Sequence, residues 1–156
     1  MRSCRASGPL VQVRLLGMPV AAYQQACQYD EELRRELTLV FSCSPDGTSA
    51  PPMALAKFTE VLKQGFQPYT DAPQAQVDAA LARGECTVDI TVAVSAEARA
   101  QAVSFAQSLA AADDHCRQGA LLTLAAPPEV VELREWFLRQ IVDQLDGDAP
   151  TPWTER

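Results

Sequence analysis

Hydrophobic and polar positions alternate near the start of the chain. In LVQVRLLG, residues 10 to 17, Val11, Val13 and Leu15 fall on one face while Gln12 and Arg14 fall on the other. That period of two predicts a half-buried strand. Gly17 is expected to end it, and Pro19 stands where a first helical residue would. From Val20 to about Phe41 the period becomes helical. Tyr23, Ala26, Leu33, Leu37 and Phe41 share a stripe, and Gln24, Gln25, Glu31, Glu32 and Arg35 face outward. SCSPDGTSAPP, residues 42 to 52, has the composition of a loop, and Pro51 and Pro52 suit the start of a second helix reaching Gly65. A short helix is expected from Pro73 to Arg83, with Asp71 as its N-cap and Gly84 as its stop.

CTVDITVAV, residues 86 to 94, alternates again: Val88, Ile90, Val92 and Val94 against Thr87, Asp89 and Thr91. A long helix then runs to about Gln118, with a seam of Ala98, Ala102, Phe105, Leu109, Ala112 and Cys116. ALLTLAA, residues 120 to 126, is a short continuous apolar run and predicts a third, buried strand. Pro127 and Pro128 open the last helix, which Gly147 ends. The order is β-α-α-α-β-α-β-α. It predicts one α/β domain over residues 9–147, a small mixed or parallel sheet of about three strands packed with about five helices. Residues 1–8 read as a loose leader and 148–156 as a Pro-spaced tail.

Two charges break the apolar stripes. Arg134 falls in the middle of the last helix's apolar face, among Val130, Leu133, Phe137, Leu138, Ile141 and Leu145, and Asp30 falls in the middle of the first helix's. A buried charge needs a partner. A bidentate Asp30–Arg134 pair would tie the two helices together, as a structural link or as the wall of a ligand pocket. The alternative is that both side chains snorkel to water. Trp136 lies opposite Phe137 and Ile141, where an exposed indole would anchor a partner. Pro150 and Pro152 stiffen the tail that carries Trp153, so that it can either enter a partner's groove or fold back on the helix.

Composition narrows the function. The 156 residues suit one domain, and the net charge of −7 disfavours nucleic acid and anionic membrane surfaces. No apolar run approaches the roughly 18 residues of a membrane helix. The five cysteines, with no CxxC spacing, read as reduced thiols in a cytoplasm rather than as disulfides or a metal site. Catalytic chemistry is thinly supplied. His115 is the single histidine, and in ADDHCRQG its neighbour Cys116 points another way along the helix. No phosphate-binding glycine motif occurs, so no cofactor is expected.

VRLLGMPV near the start, ALARGECTVDITVAV, LLTLAAPPEVVELREW and the closing LREWFLRQIVDQLDG with PTPW resemble a group of small actinobacterial proteins. Those proteins are associated with partner-switching regulators: anti-sigma kinases, STAS-domain antagonists and phosphatases. Arg134, Trp136, Asp146, Gly147 and Trp153 fall on matching positions, while Gln28–Tyr29 replaces an expected His-containing pair. The resemblance implies a regulatory setting without kinase chemistry, since the glycine-containing ATP boxes of those kinases are missing. The expectation is a non-enzymatic adaptor that binds another protein, an anti-sigma kinase or STAS-domain protein, through Trp136, Trp153, Pro150 and Pro152. A second copy of the chain is an alternative partner. The competing readings are a small-molecule sensor with a pocket at Asp30 and Arg134, and a cysteine-dependent enzyme.

Overall fold

A computed structural model describes residues 8–42, 60, 61, 64, 66–119 and 122–154. The expected leader lies almost wholly outside them, and so do the loop after Ser42 and most of the helix expected from Pro52. In chain order the described elements are β1 (Val11–Pro19), α1 (Val20–Ser42), α2 (Gln67–Thr70), α3 (Gln74–Ala82), β2 (Thr87–Val94), α4 (Ala98–Arg117) and α5 (Pro128–Leu145). α2 is a single turn, so four helices carry the packing among the described residues.

The sheet corrects the expected topology. Among the described residues it has two strands, and they run antiparallel, with Val13 opposite Val92 and Leu15 opposite Ile90. ALLTLAA does not supply a third. Among its described residues no strand forms, and Leu122 and Leu124 are 93% and 82% exposed. The expected β-α-β step from Cys86 to Leu124 is therefore absent, and the sheet is neither mixed nor parallel. At one residue on each edge of the sheet a helix side chain takes the place of a further strand. The side chain of Gln76 donates to Thr91 O at 3.0 Å and accepts Thr91 N–H at 3.1 Å. On the other edge Gln144 does the same for Arg14, at 2.7 and 2.9 Å. Each side-chain amide stands in for a neighbouring strand's peptide group.

Gly17 does not end β1. It sits at a positive φ of 67° and makes a bulge, so that Leu16 and Gly17 together oppose Asp89. The Gly17 N–H donates to Asp89 Oδ1 at 2.7 Å. The extra residue resets the alternation, and Met18 joins Val13 and Leu15 on the buried face with Val88, Ile90, Val92 and Val94.

The helices cover that face. Tyr23, Ala26, Leu33 and Leu37 of α1 are buried, as are the whole α4 seam from Ala98 to Cys116 and Val130, Leu133, Phe137, Leu138 and Ile141 of α5. Each large side chain withdrawn from water contributes about 1.5–3 kcal/mol. The centre is aromatic. Phe137 stacks on Tyr23 at 6.3 Å and meets Tyr69 edge-on at 4.9 Å, and Phe105 touches Tyr69 at 5.6 Å. α2, barely a turn long, thus places Tyr69 at the junction of α1, α4 and α5.

Candidate functional site

The off-pattern charges do enter the interior. Asp30, Asp113 and Arg134 are each at least nine-tenths buried. The geometry differs from a direct Asp30–Arg134 pair. Arg134 Nη2 donates to Asp113 Oδ2, so the ion pair joins α5 to α4. The Tyr29 hydroxyl donates to Asp113 Oδ1 at 3.0 Å and lies 3.8 Å from Cys116 Sγ. Asp113 was missed because it reads as part of the solvated run ADDH. It nevertheless stands four residues after Leu109, on the buried side of α4.

Among the described residues no protein group bonds either oxygen of Asp30, Arg134 Nη1 or the Tyr69 hydroxyl, and all are enclosed. Burial pushes the Asp30 carboxyl up to about 7; Arg134, the facing Tyr69 hydroxyl and Arg34 pull it down, and Asp113 pushes it up again. Tyr69 faces Asp30 without closing a formed hydrogen bond. The Tyr23 hydroxyl donates to the Tyr69 main-chain oxygen at 2.8 Å, which fixes α2 against α1. Burial also raises the thiols of Cys27 and Cys116, which disfavours thiolate at both. Among the described residues no group of three His, Cys, Asp or Glu side chains is placed to hold a metal ion.

Asp30 and Arg134 are buried and line neither of two surface grooves. A groove of about 660 Å³ lies elsewhere, over Leu10, Phe66, Pro68, Val94, Ala98 and Phe105. A second, of about 310 Å³, runs along α5 and the tail, lined by Glu132, Glu135, Trp136, Arg139, Asp143 and Trp153 among others.

That second groove is built by the tail folding back. Trp136 and Trp153 meet edge to face, with ring centres 5.4 Å apart and planes at 78°. Trp136 Nε1 donates to Thr151 O at 3.0 Å. The Thr151 N–H donates to the buried Gln140 Oε1 at 2.8 Å, and the Trp153 N–H donates to Leu16 O in β1 at 2.9 Å. Pro150 and Pro152 flank Thr151 and hold this stretch extended. Both indoles remain partly exposed. Glu132, Glu135, Arg139 and Asp143 form no ion pair among the described residues. Nearby, Arg99 grips Asp146 with two bonds of 2.8 and 3.0 Å, joining the start of α4 to the end of α5.

Comparison of the chain with models of protein families, with curated proteins and with solved structures finds no match. No helix among the described residues is long and apolar enough to cross a membrane.

Proposed function

We propose that the chain is a non-enzymatic regulatory or adaptor protein that works by protein–protein contact in a bacterial stress or sigma-factor partner-switching pathway. The observation that carries this reading is the groove at Trp136 and Trp153. Paired indoles give a large contact area at low conformational cost. Three carboxylates, of Glu132, Glu135 and Asp143, stand around them against the single guanidinium of Arg139. Unpaired surface charge of one sign favours a partner segment of the other, and steers its approach. The occupant is therefore a basic segment of a partner protein. The sequence resemblance supplies the candidates, an anti-sigma kinase or a STAS-domain protein of the same cell, and with them a cytoplasmic setting.

The test is titration calorimetry of the chain with a purified anti-sigma kinase and a purified STAS-domain protein from its host. Trp136→Ala with Trp153→Ala removes the indoles. Glu132→Lys with Glu135→Lys reverses the rim and leaves the tail's hydrogen bonds alone. Both variants should bind at least tenfold more weakly, with an unchanged circular dichroism spectrum for the charge variant. Binding of the charge variant at wild-type strength, or no heat with either partner, rejects the proposal.

A further inference from the structure

The interior sets two carboxyl groups against one guanidinium. Asp113 takes the arginine's Nη2 and the Tyr29 hydroxyl. Asp30 is left facing the same arginine with neither oxygen bonded. The groups around Asp30 are Tyr23, Cys27 and Arg34 from α1, Tyr69 from α2, Asp113 from α4 and Arg134 from α5. Arg34 is the second cation of that set, but its side chain is about one-third exposed and lies 3.8 Å from Glu31. With both aspartates ionised, the core would hold an uncompensated negative charge, which proteins relieve by binding a proton.

We propose that Asp30 is a proton-operated switch in the packing of α1 against α4 and α5. With the proton bound, the carboxylic acid is neutral, and Arg134 belongs to Asp113 alone. Its hydroxyl can then donate within the cluster. When the proton leaves, Asp30 becomes a buried carboxylate that competes with Asp113 for Arg134, and the pairing that ties α5 to α4 loosens. Opening this contact acts on the helix that carries Trp136 and the tail's seat.

The sign follows from linkage. A carboxyl whose folded value, about 7, lies above its ordinary 3.8 stabilises the fold fully below the ordinary value, and that stability is lost as pH rises through about 7. Within that window the folding constant falls about tenfold per pH unit from this one group.

Asp30→Asn isolates the effect, because the amide does not titrate while every other carboxyl is shared with wild type. Urea unfolding of both should be followed from about pH 5 to about pH 8. The expected result is a wild-type folding constant that falls by about tenfold per unit relative to the variant up to neutrality, then levels off. A ratio that stays constant across the range overturns the proposal. If the variant does not fold, carbon-13 NMR of the aspartate carboxyls in the wild-type chain decides. A midpoint for Asp30 close to neutrality supports the switch, and one below about pH 5 sinks it.

Discussion

Gln144 and Arg14 exchange two hydrogen bonds, side-chain amide to main chain, as if α5 had lent the sheet a strand one residue long. Gln76 repeats the arrangement at Thr91 on the far edge. A two-stranded sheet is marginal by itself, and open edges invite pairing with other chains. The two glutamines answer both problems from helices that already pack beside the strands.

Replacing Gln144 with Ala should therefore lower stability by about 1–2 kcal/mol, the worth of two hydrogen bonds whose main-chain partners can turn to water. A urea midpoint shifted downward with an unchanged slope is the expected signature. With Gln76→Ala added, light scattering should detect self-association at high protein concentration. An unaltered midpoint in the single variant would show that the edge does not need its amide.

The pair between Arg134 and Asp113 should behave as a buried unit. Arg134→Met alone strands Asp113 in the core and should cost about 3–5 kcal/mol, whereas Asp113→Leu leaves Asp30 facing the arginine and should cost less. The double variant replaces both with apolar groups and should regain most of that loss. Denaturant titration of the four proteins at neutral pH gives the coupling directly. Additive losses would place the two side chains in separate environments.

Glu36 should report on the segment that follows α4. Burial works against its charge, but bonds from Thr123 and from the main-chain N–H of Leu122 outweigh it and hold the carboxyl below its ordinary 4.5. A depressed carboxyl gives stability above its unfolded value and loses it as pH falls through the folded one. The amide resonances of Leu122 and Thr123 should thus stay put at neutral pH and shift together in acid, with a midpoint under the ordinary glutamate value. Glu36→Gln should abolish the transition. Coincidence of the midpoint with ordinary glutamate would contradict the anchoring.

Periodicity made the helices legible where they are long. The stripes of α1 from Tyr23 to Leu37, of α4 and of α5 from Val130 to Ile141 are the buried faces found, Leu145 is half-buried, the side chain of Phe41 lies outside the described residues, and β2 alternates as its sequence alternates. It also marked Asp30 and Arg134 as charges facing inward. It could not choose the partner, because a face has no distance in it, and Asp113 was camouflaged by a second aspartate and a histidine. Gly17 was misread because a stop and a bulge ask for the same backbone freedom. In ALLTLAA, Leu122 and Leu124 look like core by their apolar run, yet both are exposed, because a run of apolar residues carries no information on what packs against it. Tyr69 left no periodic trace, since one turn of helix is too short to have one. The prolines of the tail announced an extended segment, but the seat it takes is set by Gln140 in the helix just before it and by Leu16, far away in sequence.

The seat of the tail carries its own spectroscopic label. The chain has two tryptophans, and both stand in the one edge-to-face contact. Indole transitions at that separation couple and split into an exciton couplet of opposed ellipticities in the far ultraviolet. The chain has no other indole, so a change in the couplet follows the seating of the tail, in real time and without any dye.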